Sequence, residues 1–140
     1  MKPIMLKRHY SASLLDLLGA AEYILYEGNK RVILCERGIT APHTHRSSSR
    51  FLLELQVVPA AHEITHLPVA VDPSQATFWR EWVEPLSLAS IATGCDSLML
   101  EIHPDPPNAA INLLKAVPHD HFSSFVPKIK SIIVCIGRSC

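Results

Sequence analysis

Four short apolar runs recur along the chain, Pro3–Leu6, Arg31–Cys35, Leu67–Val71 and Ser97–Ile102. Their starts lie about 30 residues apart, the repeat length of a βαβ unit. They are rich in Ile, Val, Leu and Met and are continuous rather than alternating, the pattern of parallel strands buried on both faces. Between them fall stretches with helical spacing. Ser11–Glu27 carries Leu14, Leu15, Leu17, Leu18, Ala21, Ile24 and Leu25 and stops at Gly28-Asn29. Pro59–Thr65 is a shorter helix with proline near its first turn. Trp79–Thr93 ends at Gly94. His119–Ile136 ends at Gly137, and Pro127 is expected to kink or break it. The resulting order, β-α-β-α-β-α-β-α, predicts an α/β parallel sheet, either doubly wound or a barrel. Four units are half of the eight in a (β/α)8 TIM barrel. No GxGxxG follows the first run, which counts against a dinucleotide-binding sheet.

The size and charge of the chain bound its function. Its 140 residues, 48% of them hydrophobic, suit one compact domain over residues 1–140. Thirteen basic residues balance thirteen acidic ones. A neutral chain is not expected to bind nucleic acid or acidic membranes broadly, so any anion site is local. No apolar run reaches the roughly 18 residues of a membrane span, and Met1–Leu6 lacks the long apolar core of a signal peptide. Cys35, Cys95, Cys135 and Cys140 show no CxxC spacing, which suits reduced thiols in a cytoplasmic setting.

Each apolar run ends in charged or polar residues: Lys7-Arg8, Cys35-Glu36-Arg37-Gly38, Asp72-Pro73-Ser74-Gln75 and Glu101-Ile102-His103-Pro104. Parallel α/β folds bind ligands at the carboxyl ends of their strands, so these strings read as one half of an active-site floor. In isolation Lys7 and Arg8 would read as solvated flank charges. With Arg37 at the next strand end, Lys7 reads as functional. The two cations can share a phosphate or carboxylate, Arg37 as a fork and Lys7 as a point charge. Glu36 neutralises Arg37 or a neighbour, and Gly38 permits a tight turn or a close approach to ligand. Cys35 reads as a small buried residue rather than a nucleophile. Asp72-Pro73-Ser74-Gln75 is common loop chemistry. Glu101 and His103, two apart on a strand, would share a face. They suit a divalent metal, or equally a salt bridge and a hydrogen-bonded histidine. His43, His45, His62 and His66 match no zinc-finger spacing and read as surface, and Trp79 and Trp82 read as packing.

Taken together these strings resemble the DAHP synthase (3-deoxy-7-phosphoheptulonate synthase) family, in the branch that shares its barrel with KDO8P synthases. Leu6-Lys7-Arg8 resembles the family's LKRG, Ala20–Ile24 with Gly28-Asn29 its AAEYI…GN helix, and Val32–Gly38 its VILCERG. His66–Val69 with Asp72-Pro73-Ser74 is similar to HLPV…DPSH, and Val83–Leu86, Leu98-Met99 and Glu101–Pro104 to VEPL…LMIEVHP. The resemblance implies the last four βα units of a TIM barrel. It also implies an aldol-type transferase that condenses phosphoenolpyruvate with erythrose 4-phosphate, the first step of the shikimate route to aromatic amino acids. By the same resemblance Lys7 and Arg37 are the catalytic, phosphoenolpyruvate-holding pair, Arg50 marks the sugar-phosphate loop, and Glu101 ligates a divalent metal. Gln75 and Asn112 stand where the family has metal-ligating His and Asp, and the family's Cys ligand lies on a strand outside these four. The expectation is therefore a truncated relative with impaired or no activity alone. The alternative is a non-catalytic phosphate- or phosphoenolpyruvate-binding half-barrel. In either case the open sheet edges call for a partner half-barrel or a second copy.

Overall fold

The structure is a computed structural model that describes residues 1–42 and 51–139. Arg50, His43, His45 and Cys140 lie outside the described residues. The elements follow in the order β1 (Ile4–Lys7), α1 (Leu14–Tyr26), β2 (Val32–Glu36), α2 (Val57–Ile64), β3 (Val69–Val71), α3 (Pro73–Thr77), α4 (Arg80–Ala92), β4 (Ser97–Leu98) and α5 (His119–Cys135), with a 3-10 turn at Pro106–Asn108. The four strands form one sheet in the order β1-β2-β3-β4, all parallel. Lys7 aligns with Cys35, Cys35 with Ala70, and Ala70 with Ser97. A doubly wound sheet reverses its strand order at a switch point. Strictly sequential neighbours are the winding of a barrel wall, which separates the two sheet types that the alternation alone leaves open. No helix among the described residues is long and apolar enough to cross a membrane.

Local chemistry explains most of the elements. Ser13 and Asp16 form a capping box at the start of α1, each side chain accepting from the other's backbone N–H. Gly28, at φ +87°, ends it. The outward-facing residues of the sheet, Val32, Leu34, Val69 and Val71, pack with Leu17 and Ala21 of α1, Val58 and Ala61 of α2 and Ile91 of α4 into one core. A second cluster joins Val83, Val117 and Phe125.

Three expectations change. Asp72–Gln75 is more than a turn: Asp72 caps α3, its Oδ1 accepting from the Gln75 N–H at 3.0 Å. The fourth strand is only Ser97–Leu98. Beyond it the chain pairs again at Ile102 with Val117, so Glu101 and His103 do not sit on a regular strand. Finally, α5 runs unbroken across Pro127. Pro127 and Ser123, whose carbonyl the proline cannot satisfy, both lie on the exposed side of the helix, where solvent can replace the lost bond.

Candidate active site at the carboxyl ends of the strands

The polar groups at the strand ends sort into two layers. The deeper is an ion cluster. Arg8, expected at the surface, is 4% exposed. Its Nη1 donates to Glu36 Oε2 at 2.9 Å and to Glu54 Oε2 at 2.6 Å, and its Nε donates to the Ala12 carbonyl at 2.9 Å. Burial works against the charged form, but the two carboxylates outweigh it and raise the Arg8 pKa. Glu36, fully buried, thus neutralises Arg8 and not Arg37. Its other oxygen accepts from the N–H of Gly38 at 2.8 Å and of Glu54 at 3.3 Å, tying down the turn after β2. In that turn Gly38 takes φ +95°, and a Cβ there would lie 2.7 Å from Phe51 Cβ. Only glycine fits.

Above this layer lies a more accessible set of polar groups. Lys7 Nζ donates to Asp72 Oδ2 at 3.5 Å across the intervening β2, and its side chain is 36% exposed. Arg37 is anchored by its Nε on the Arg8 carbonyl at 2.8 Å. With Tyr10, Gly38, Phe51 and Gln75 it lines a cavity of about 180 Å³, one wall of which is the stacked Tyr10–Phe51 pair. The Cys35 thiol is pushed up to about 12 by burial and then by Asp72, despite the opposing pull of Lys7 and Arg37. A thiol so held is no nucleophile at neutral pH.

The residue that sequence patterns miss is Lys115. Its side chain is 2% exposed, and its Nζ lies 2.7 Å from Glu101 Oε1 and donates to Gln75 Oε1 at 2.9 Å. Those partners are 14 and 40 positions away in the chain, so no local spacing announces them. Glu101, the expected metal ligand, is instead one arm of an ion pair. Asn112 serves as a left-handed turn residue, at φ 63°, whose carbonyl accepts from Lys115 and Ala116. His103 turns back on itself, its Nδ1 accepting from the Asp105 N–H. Among the described residues no group of three or more His, Cys, Asp or Glu is placed to hold a metal ion. Gln75 and Asn112 are neutral, and both Gln75 and Glu101 are engaged by an ammonium, so this donor set does not fit a divalent transition metal. His62 and His66 lie at the far end of the sheet, near Asp96, where His62 Nε2 and Arg138 both pair with that carboxylate.

Comparison with known proteins agrees with this geometry. The model of the DAHP synthetase I family matches residues 1–133. A phospho-2-dehydro-3-deoxyheptonate aldolase of Thermotoga maritima is 36% identical over 136 residues, covering 97% of this chain and 39% of that protein. A 2-dehydro-3-deoxyphosphooctonate aldolase of Geobacter sulfurreducens is 33% identical over 123 residues, covering 84% of this chain and 45% of its own length. The crystal structure of the Thermotoga maritima DAHP synthase superposes with a TM-score of 0.91 over 99% of this chain and 40% of that one. The chain therefore spans less than half the length of these relatives. A family model matched over residues 1–133, together with a relative 36% identical over 97% of the chain, means that the chain belongs to the DAHP synthetase I family.

Proposed function

We propose that the chain forms the last four βα units of a DAHP synthase-type (β/α)8 barrel and binds phosphoenolpyruvate at its strand ends. The observation that carries this reading is the placement of Lys7 and Arg37 at the ends of neighbouring strands, with Arg37 anchored by its Nε beside a small cavity. Phosphoenolpyruvate offers a phosphate and a carboxylate, the two groups that a forked guanidinium and a compact ammonium hold well. Asp72 positions Lys7, and the buried Arg8–Glu36 pair positions Arg37 through the Arg8 carbonyl. On β1, Met5 and Lys7 are exposed while Ile4 and Leu6 are half-buried, as expected of an inner wall that awaits opposing strands. A partner half-barrel or a second copy completes that wall, and the cytoplasm, where such phosphorylated metabolites occur, is the compartment we assign.

Thermal unfolding with and without phosphoenolpyruvate tests the reading. Ligand that binds only the folded state stabilises it by about 2.7 kcal/mol at one hundred times its dissociation constant. The rise in melting temperature is expected for the wild-type chain and lost in Lys7→Ala and Arg37→Ala. A cooperative transition that phosphoenolpyruvate leaves unmoved would refute it. A second reading, condensation of the bound phosphoenolpyruvate with erythrose 4-phosphate, is favoured by the extent of the likeness to the Thermotoga maritima enzyme. Release of inorganic phosphate that requires both substrates supports it, and its absence in a chain that binds phosphoenolpyruvate leaves the binding module.

A further inference from the structure

The ion pair that buried Lys115 makes with the part-exposed Glu101 beside this site points to a difference in how the centre is charged. Lys115 does not arrive there as a loose surface side chain. Its backbone N–H donates to the Asn112 carbonyl at 3.1 Å, and the Leu114 carbonyl just before it accepts from Arg80 N at 2.8 Å. On the other side Val117 is tied to the chain after β4, its N–H donating to Glu101 and its carbonyl accepting from His103. The segment is thus held at both ends, and it delivers the Nζ between Gln75, in α3, and Glu101, past β4. An ammonium removed from water is costly unless oxygen acceptors replace the lost hydration, and these two residues supply a carboxylate and an amide carbonyl. They are the same two positions that, by resemblance to the family, would contribute a histidine and a glutamate to a divalent metal.

We propose that Lys115 is a resident cation: its ammonium takes the place of the divalent metal between Gln75 and Glu101 and closes the centre to such ions. A dication entering there would meet a neutralised Glu101 and the repulsion of a fixed positive charge at contact distance. The inference does not depend on phosphoenolpyruvate binding, which is read separately from the melting shift governed by Lys7 and Arg37.

The test titrates the full chain with Mn²⁺ alone, following free ion by electron paramagnetic resonance. Wild-type chain is expected to show no saturable, Glu101-dependent binding. The Lys115→Met/Gln75→His double variant, checked for native circular dichroism, is expected to bind at least about a hundred-fold more tightly than Gln75→His alone, the order that follows from withdrawing a unit charge from beside a dication. That gain should vanish when Glu101→Gln is added. The wild-type protein gives a second readout that needs no variant. In nitrogen-15 NMR the Lys115 ammonium should exchange slowly with solvent and stay sharp when Mn²⁺ is added. Saturable binding to wild type that Glu101→Gln abolishes, or broadening of the Lys115 signal by stoichiometric Mn²⁺, overturns the proposal. So does a natively folded double variant that binds no more tightly than Gln75→His alone, since Lys115 would then not be what closes the centre.

Discussion

Replacing Arg8 with Met removes the only cation that the ion cluster shares between Glu36 and Glu54 among the described residues. Glu36 is fully buried, and Arg8 is 4% exposed, so the pair is shielded from water on both sides. Deleting one member of such a pair leaves an uncompensated buried charge and costs about 3–5 kcal/mol, against about 0–1 kcal/mol for an exposed pair. For a chain of this size each kcal/mol lowers the melting temperature by roughly 3 °C, so Arg8→Met is expected to melt roughly 10–15 °C lower. Glu36→Gln provides the internal control. The amide keeps an oxygen that can accept from the Gly38 and Glu54 N–H groups, and removes only the charge. In the wild-type background it should destabilise by about 1.5–3 kcal/mol, the worth of a hydrogen bond to a charged group. In the Arg8→Met background it should stabilise, because it removes the orphaned carboxylate. Circular dichroism melts of the four chains measure both effects. A Glu36→Gln substitution of the same sign in both backgrounds, or a loss below about 1 kcal/mol for Arg8→Met, would refute the reasoning.

Three further outcomes are expected. Gly38→Ala places a Cβ 2.7 Å from Phe51 and 3.0 Å from Ala76 at φ +95°, so it should cost about 2–5 kcal/mol by denaturant melts and blunt any phosphoenolpyruvate shift by moving Arg37. Burial, followed by Asp72 and Asp96 respectively, lifts the thiols of Cys35 to about 12 and Cys95 to about 11. Brief iodoacetamide treatment at neutral pH followed by mass spectrometry should therefore label exposed Cys135 and spare both. Burial opposes ionisation of Asp96, but hydrogen bonds from the Val69 N–H, Arg138 and His62 overcome it and hold its pKa below the ordinary 3.8. A depressed folded pKa gives stability that is full above 3.8 and fades as pH falls below it. Asp96→Asn should thus lose about 1–2 kcal/mol at neutral pH, and the gap should close in acid.

Much of this molecule was legible in order. Continuous Val/Ile/Leu runs separated by helical stretches can only be parallel strands with crossovers, and the residues that close those runs had to fall at one end of the sheet. Strand direction alone sets Lys7 and Arg37 at that end of the sheet. The short α3 was hidden because a helix of five residues has no periodicity to display, and the Asp-Pro-Ser string suits a turn equally well. Strand β4 was overextended, since apolar content continues past Leu98 while the hydrogen-bonding partner does not.

Sequence by itself determined the α/β class and the end of the sheet at which the polar strand-end residues gather, because these follow from local periodicity and chain direction, while the sequential strand order came from the structure. The tertiary structure decided which charges cancel. Glu36 could have served Arg37, its neighbour in sequence, but the pleat sends it beneath the sheet end to Arg8, 28 residues earlier. Glu101 reads as a metal ligand until Lys115 arrives from a segment whose only local signals are turn and core. Electrostatic partnership depends on distances of a few ångströms between residues far apart in the chain, and it is folding that sets those distances.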